Sequence, residues 1–305
     1  MTSDVGRTST VLAPGAPAQP TGAKTEVVRS ASSPGKVVFV AGDGPVAPRR
    51  LGRVPTVVRR AVMPVLLVVL WEVGSTSRWW SPAVLPPPGN IAQTFWHLLQ
   101  NGQLLPNLWA SLRRVLIGSS IGVGIGTVLG ISVGLWRFAE EALDSTLQMM
   151  RTLPYLVLLP LFIVWFGVDE LPKILIIAIG TSLPMYLNTS SGVRNVDPRY
   201  AEMATTFGLR RPALILTVII PGALPAMLTG LRYSLGIGWL SLVVAEQINA
   251  QSGLGLLISN AESLFQMNIL MVCVVIYAVL GLTTDLMVRA LEHRLLAWRG
   301  KATQW

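Results

Sequence analysis

The amino-acid sequence predicts an all-α membrane protein with six transmembrane helices, preceded by a disordered N-terminal tail. Of 305 residues, 51% are hydrophobic and 13% are charged, and the mean hydropathy is +0.56. Soluble domains are about 25% charged. Six stretches of the chain approach the roughly 20 apolar residues that a helix needs to cross a bilayer. This composition argues against an ordinary soluble enzyme and against a wholly disordered chain.

The N-terminal segment, residues 1–55, is predicted to be a disordered, basic, cytoplasmic tail. Residues 1–60 carry nine Lys/Arg and three Asp/Glu, a net +6 out of +9 for the chain. The segment is rich in Pro, Gly, Ser, Thr and Ala, so it cannot bury enough apolar surface to offset the entropy cost of ordering. The high net charge therefore belongs to the tail and does not indicate a nucleic-acid partner.

The six apolar stretches define a transmembrane domain over residues 56–300. They fall within residues 61–79, 115–135, 153–168, 174–187, 214–245 and 269–286. The fifth is too long for a single span, so its start is uncertain. Between the first two, the run from Ile91 to Leu99 has helical periodicity and predicts a short surface helix.

The distribution of arginine and lysine predicts that both termini are cytoplasmic. Cytoplasmic connections of membrane proteins carry an excess of Lys and Arg. Five arginines precede the first span, and four more lie between residues 194 and 211. Six spans then return the C-terminus to the inside, in agreement with Arg289, Arg294, Arg299 and Lys301 at that end.

The second span contains a glycine at every fourth position: Gly118, Gly122, Gly126, Gly130 and Gly134. Such a stripe lets another helix approach closely. A phosphate-binding glycine loop is rejected, because no Lys-Ser/Thr follows the stripe and no phosphate-loop motif occurs elsewhere in the chain. Any ATP hydrolysis must therefore take place on another polypeptide.

Catalytic and metal-binding side chains are scarce in this sequence. The single cysteine, Cys273, lies in an apolar run and is interpreted as a small lipid-facing or packing residue. With only His97 and His293 in addition, no zinc cluster of the Cys/His kind can form. We expect no catalytic residue, no metal site and no cofactor in this chain.

A short polar helix is predicted between the fourth and fifth spans. Asp197 is a good N-cap, Pro198 suits the first helical position, and Gly208 suits the left-handed residue after a helix end. A helix of about ten residues spans roughly 15 Å, too short to cross a bilayer. A new segment is expected to start around Arg210, and Pro221 and Pro225 are expected to break the helix that follows.

The residues of this helix resemble the cytoplasmic signature of permease subunits of binding-protein-dependent ABC importers. Glu202-Met203-Ala204 is followed after three residues by Gly208, and then by Val218, Ile220 and Pro221 at the family spacing. Residues 158–167, 185–188 and 230–246 are similar to the branch that imports sulfonates, taurine and nitrate. The resemblance covers about residues 57–298.

This resemblance implies the type I ABC importer permease fold in a bacterial inner membrane, importing a small anion such as an aliphatic sulfonate, taurine or nitrate. It implies that residues 197–208 form a coupling helix acting through Glu202, Met203, Ala204, Gly208 and Pro221. The implied partners are a second copy of the chain, ABC ATPase subunits that hold ATP and Mg, an external or periplasmic solute-binding protein and the lipid bilayer.

Six further residues are candidates for the substrate pathway, each with an ordinary alternative. Arg232 either faces the pathway or pairs with a carboxylate at the inner end of its span. Arg113 and Arg114 either snorkel to lipid headgroups or form an anion-receiving mouth. Glu246 and Gln247 are candidates for an outer gate, and Trp239 fits either an interface belt or the pathway.

Two other functions were weighed against an ATP-driven importer. The first is a secondary transporter of a small anion driven by an ion gradient, which often shows inverted repeats; no such repeat is evident. The second is a membrane-embedded enzyme, which needs clustered acid, base or metal-binding side chains, and no such cluster is evident either.

Overall fold

A computed structural model of the chain describes residues 56–77, 79, 81, 84–249 and 251–298. The predicted disordered tail lies outside the described residues, as do Arg299 and Lys301. Within the described ranges the chain is helical and has no β-strand. The α-helices of this part are α1 (Thr56–Thr76), α2 (Pro88–Gln100), α3 (Leu104–Leu135), α4 (Arg137–Thr152), α5 (Leu158–Phe166), α6 (Glu170–Arg194), α7 (Pro198–Thr206), α8 (Arg211–Leu214), α9 (Ile220–Asn249), α10 (Leu254–Ser263) and α11 (Met267–Leu295).

The all-α membrane fold predicted from the sequence is confirmed. Among the residues that the structure describes, four segments are long and apolar enough to cross a bilayer: Leu104–Leu135, Glu170–Arg194, Arg211–Ile248 and Met267–Leu295. The first and third predicted spans correspond to shorter apolar helices, Val65–Thr76 and Tyr155–Phe166. The surface helix predicted around Ile91 is present as α2, whereas the amphipathic helices α4 and α10 were not predicted.

The glycine stripe of α3 packs directly against another helix, as predicted, and that helix is α6. A methyl group added at Gly118 would lie 2.7 Å from Ile177 Cγ2, and one at Gly134 would lie 2.7 Å from Val193 Cβ. These distances are far shorter than ordinary carbon contacts of about 3.5–4 Å. The glycines therefore permit a backbone approach that no larger residue would allow.

The same contacts show that α3 and α6 run in the same direction, because residue numbers rise together along the seam. Gly118 and Gly134 are separated by about 24 Å at 1.5 Å per residue. The chain between the two helices must return over at least this distance. The helix α4, a 3₁₀ turn (Tyr155–Val157) and α5 make this return in pieces interrupted at Pro154, which explains why the third apolar helix is short.

The helix α9 runs antiparallel to α6 and is not broken at its prolines, contrary to the prediction. It includes Pro225, and a π-helical turn (Ile215–Ile219) joins it to α8 in one continuous segment. A break was predicted because proline removes one backbone donor and crowds the preceding turn. The prediction failed because a local π adjustment can accommodate the freed groups in a membrane helix.

The bundle has two ends, which we name the α7 end and the opposite end. The α7 end holds the C-termini of α3 and α6, since α7 follows α6 directly. The opposite end holds the N-termini of α3 and α6 and the C-terminus of α9, because Gly180 of α6 lies against Ser241 of α9. The helix α11 terminates at the α7 end, since its residue Glu292 bonds Arg232 in the first half of α9.

Apolar side chains form two cores between these helices. One is built from α3, α5, α6 and α9 and centres on Leu159, Ile176 and Leu242. The other lies at the opposite end, where α2, α3, α10 and α11 meet. Cys273 is wholly buried, which confirms its interpretation as a packing residue.

Candidate functional site

The short helix α7 forms as predicted and is terminated at both ends by its own sequence. The Asp197 carboxylate accepts a hydrogen bond from the Arg199 backbone N–H at 2.9 Å, and Pro198 occupies the first helical position. At the other end, the N–H groups of Gly208 and Leu209 donate to carbonyls of the last turn. Gly208 has φ +80°, a left-handed conformation that glycine adopts without steric cost.

The solvent-facing surface of α7 is unusually apolar. Tyr200, Met203 and Phe207 are 61%, 58% and 79% exposed. Their spacing of three and four residues places them on one face. We name these three residues the apolar face of α7. Ala204 is buried against the protein itself.

The predicted coupling residue Glu202 is exposed and lies away from the apolar face. At roughly 100° per residue, it is turned about 200° from Tyr200 and about 100° from Met203. Gly208 ends α7, and Pro221 lies at the start of α9, directly after the π-helical turn. The five predicted coupling residues therefore belong to one helix–turn–helix segment but not to one surface.

The opposite end of the bundle contains a buried cluster of charges centred on Arg114. Its guanidinium uses all five N–H donors: Nε and Nη2 donate to Glu170 at 2.6 Å, Nη1 donates to Glu246 at 2.6 Å, and both Nη1 and Nη2 donate to Ser252. Arg114 and Glu246 are each 1% exposed. We name Arg114, Glu170, Glu246 and Ser111 the Arg114 cluster.

The Glu246 carboxylate also holds the N-terminus of α10. It accepts from the Gly255 backbone N–H at 2.9 Å and from Ser111 Oγ at 2.8 Å. Ser111 Oγ in turn accepts from the Leu254 N–H at 2.8 Å. The free N–H groups of a helix N-terminus favour anions. The Arg114 cluster thus ties α3, α6, α9 and α10 together.

Glycine is required where α10 meets this cluster. Gly253 has φ +118°, and a Cβ there would lie 2.6 Å from Arg114 Nη1. No other residue type could bring the backbone so close to the two charged groups.

The structure corrects one prediction for the pathway candidates. The prediction that Arg114 snorkels to lipid headgroups is wrong, because its side chain is enclosed by protein and paired with two carboxylates. Glu246 is equally buried, whereas Gln247 and Arg113 are exposed. Any role of these four residues in the pathway or an outer gate stays a prediction.

Arg232 takes the second of its two predicted roles, pairing with carboxylates of α11. It lies 2.6 Å from Glu292 and 3.3 Å from Asp285, and Arg289 pairs with Asp285 at 2.7 Å. These side chains are between 30% and 62% exposed. They form a charge-balanced link between α9 and α11 near the α7 end.

Trp239 is buried between α9 and α11 and so lies outside an interface belt in this structure, whereas its role in the pathway stays a prediction. It is 9% exposed, its ring packs edge-on against Tyr277, and its indole N–H donates to Thr284 at 3.1 Å. Glu170 lies between the third and fourth predicted spans, and the sequence did not single out Glu170, Ser111 or Tyr277. The sequence signal that could have indicated the contact between the α10 N-terminus and Glu246 was the pair of glycines at positions 253 and 255.

In the part of the chain that the structure describes, no group of three or more His, Cys, Asp or Glu could hold a metal ion. The absence of a cofactor in this chain stays a prediction.

Comparison with known proteins gives a concordant result. Residues 122–297 match the family model described as binding-protein-dependent transport system inner membrane component. A putative aliphatic sulfonates transport permease protein of Escherichia coli K12 is 43% identical over 77% of this chain and 90% of its own length. The taurine transport system permease protein of the same strain is 34% identical over 78% of this chain and 88% of its own length.

Solved structures agree at the level of the fold. A chain from the crystal structure of an amino acid ABC transporter with histidines superposes with a TM-score of 0.52 at 22% identity, covering 62% of this chain and 92% of the other.

Proposed function

This chain belongs to the family of binding-protein-dependent transport system inner membrane components, and we propose that it carries a sulfonate across the bacterial inner membrane. Family membership confirms the permease subunit of an ATP-driven importer predicted from the sequence, and with it a non-enzymatic membrane component that works with a separate ATPase and a solute-binding protein. The ion-gradient transporter and the membrane enzyme are set aside on the same ground.

The proposed substrate class rests on the names of the relatives. One is described as an aliphatic sulfonates permease and another as a taurine permease. Taurine is itself an aminoalkyl sulfonate, so the two descriptions share one chemical group. A small organic sulfonate is therefore the proposed substrate, with nitrate retained only as an inorganic anion of similar charge.

The observation that carries the coupling proposal is the apolar face of α7. Exposed aromatic and methionine side chains on a capped, polar-sided helix are typical of protein-binding surfaces. Because the helix lies at the bundle end where α6 finishes, a partner docked there could move α6 and α9 together. We propose that the ATPase subunit binds this face, with Glu202 contacting it from the flank.

The remaining coupling residues have positioning roles in this proposal. Ala204 packs α7 against its own chain, and Gly208 ends the helix. Pro221 is the second residue of α9, directly after the π-helical turn. Force applied to α7 would thus reach α9 through a short, defined connection.

The proposed assembly contains two copies of this chain with both termini in the cytoplasm. The α7 end is then cytoplasmic and the opposite end faces outwards. Of the pathway candidates, Gln247 and Arg113 have exposed side chains at the outer end, while Arg232 and Trp239 are engaged between α9 and α11.

Reconstitution in lipid vesicles tests the proposal. The chain is purified with its ATPase and solute-binding protein and inserted into the vesicles. ATP is supplied on the side of the membrane where the ATPase lies, and uptake of radiolabelled taurine or a short alkanesulfonate is measured. We expect uptake that requires ATP, with an ATPase variant unable to hydrolyse ATP as the matched control. Uptake that persists without the ATPase would contradict the coupling mechanism. ATP-driven uptake of a different solute, with none of any sulfonate, would contradict the substrate alone.

A further inference from the structure

A small cavity of about 190 Å³ opens beside the Arg114 cluster at the end of the bundle opposite α7. Its walls include Pro106, Trp109, Arg113, Arg114, Glu170 and Ser252. We propose that this cavity is a binding site for an organic oxoanion, with Arg113 holding the anionic group and Trp109 contacting the apolar part of the ligand.

The charged side chains in the wall itself, Arg113, Arg114 and Glu170, sum to +1. Behind the wall, Lys173 and Glu246 belong to the same group of ion pairs, and Asp169 lies near enough to act on Lys173. These three charges bring the wider group to zero, so the positive excess is confined to the cavity wall, where an anion would meet it.

Arg113 is the group available to bind that anion. All five N–H donors of Arg114 are already occupied by Glu170, Glu246 and Ser252, so Arg114 can only shape the wall. Among the described residues, Arg113 makes no hydrogen bond or ion pair. Its guanidinium can donate two parallel hydrogen bonds to a sulfonate or phosphate oxygen pair.

The remaining wall is apolar and sets the shape of the ligand. Trp109 is 65% exposed and stands one helical turn before Arg113 on α3, with Pro106 one turn further back. A ligand whose anionic group meets Arg113 would lay a short carbon chain along the Trp109 ring. The cavity is smaller than the roughly 300–1,000 Å³ of drug-sized sites, so it suits a small solute or a single headgroup.

Two sources could supply this chemistry: a soluble alkanesulfonate on its way to the pathway, or the phosphate and glycerol of an anionic lipid. The first source rests on the proposed sulfonate substrate, whereas the second does not. The experiment therefore needs one arm for each source.

The complete transporter is reconstituted in nanodiscs of purely zwitterionic lipid or of lipid containing phosphatidylglycerol. Propanesulfonate binding is measured by saturation-transfer NMR, and phosphatidylglycerol retention is measured by native mass spectrometry. The variants are R113Q, W109A and the control R294Q, which removes an exposed arginine at the α7 end.

We expect R113Q to weaken binding of propanesulfonate, of phosphatidylglycerol or of both at least tenfold, and R294Q to change binding less than twofold. If the ligand is propanesulfonate, W109A should abolish the preference of the cavity for it over inorganic sulfate. If the ligand is phosphatidylglycerol, W109A should weaken its retention. Whichever ligand depends on Arg113 identifies the source.

Equal binding of both ligands by wild type and R113Q overturns the proposal. Sulfonate uptake by the complete transporter alongside that result would leave the proposed function standing. Conversely, Arg113-dependent binding of phosphatidylglycerol without any sulfonate transport would support the cavity proposal and contradict the proposed substrate.

Discussion

The Arg114 guanidinium and the Glu246 carboxylate, 132 residues apart in the sequence, are joined by a 2.6 Å hydrogen bond inside the protein. Both side chains are about 1% exposed. Removing two charges from water costs several kcal/mol per ion, which a buried pair recovers only with good geometry and additional hydrogen bonds. Here Glu170, Ser111, Ser252 and the α10 N-terminus supply those bonds, so four helices depend on one arrangement.

Removing the Glu246 carboxylate should destabilise the folded bundle. Glu246→Ala leaves Ser111 and the Gly255 N–H without their acceptor and removes one of the two carboxylates bound to Arg114. We expect a loss of about 3 kcal/mol, the lower range for breaking a buried pair, because Glu170 still balances Arg114. Thermal unfolding in detergent measures it, with Gln247→Ala at the exposed neighbouring position as the control. Equal stabilities for the two variants would show that the cluster contributes little.

Adding a single methyl group should destabilise the protein at the glycine seam of α3 but not on the other face of that helix. At Gly122, a Cβ would collide with Thr181 Oγ1 and the Ala178 carbonyl oxygen, whereas at Gly124 it would meet open space. Gly122→Ala should therefore cost at least the roughly 1–3 kcal/mol of an overpacked core. Gly124→Ala should be neutral or gain up to about 1 kcal/mol in helix propensity. The yield and melting temperature of the two purified variants test the contrast, which would disappear if α3 and α6 did not pack closely.

A charge on the apolar face of α7 should detach the ATPase. Phe207→Asp places a carboxylate where we propose an apolar contact, and burying it without a partner is costly. The control is Leu264→Asp, which places the same charge at an exposed apolar side chain at the opposite end of the bundle. Co-purification of the tagged ATPase should fall at least tenfold for Phe207→Asp and stay near wild type for the control. Retention of the ATPase by Phe207→Asp would move the docking surface elsewhere.

Reversing the charge of Glu202 tests the flank of the same helix. Glu202→Lys should abolish uptake while membrane insertion stays normal, because the side chain is exposed and makes no structural contact in the described part of the protein. Glu262→Lys, which changes an exposed acid in α10 at the opposite end, serves as the control. Normal uptake by Glu202→Lys would show that this carboxylate takes no part in coupling.

Reversing one charge in the link between α9 and α11 should lower uptake, and exchanging the two charges of the pair should restore it. Arg232→Glu places three carboxylates together with Asp285 and Glu292, and the double variant Arg232→Glu/Glu292→Arg restores an opposite pair. Since these groups are partly exposed, the change in unfolding free energy should stay below about 1 kcal/mol. We expect ATP-driven uptake to fall in the single variant and to recover in the double variant. Failure of the exchange to restore uptake would assign Arg232 a role other than this pairing.

Local sequence signals predicted local structure well. The period of four in the α3 glycines is visible without any partner, since only small residues at one face allow such packing. The ends of α7 could be predicted equally well, because Asp197, Pro198 and Gly208 each determine the backbone conformation within a few residues of their own position. By contrast, α4 and α10 are short and amphipathic, so an inspection for long apolar stretches passes over them.

Long-range contacts could not be read in the same way. Arg114 stands at the start of a span, where snorkelling is the ordinary outcome, and its partners lie 56, 132 and 138 residues away. Nothing local to Arg114 distinguishes a buried, fully paired guanidinium from one in the headgroup layer. The uninterrupted passage of the helix through Pro221 was missed for a different reason, because the π-helical turn directly before it has no sequence signature of its own.

The π-helical turn also affects how the segment between α7 and α9 can change in length. In an ordinary α-helix, losing one residue rotates everything beyond it by roughly 100° and points every later side chain at the wrong neighbour. A π-helical turn is wider than an α-turn and holds an extra residue, so a deletion within Ile215–Ile219 can be absorbed by tightening the coil. Shortening the chain there would preserve the angular phase of α9, whereas the same deletion ten residues later would scramble its packing against α6.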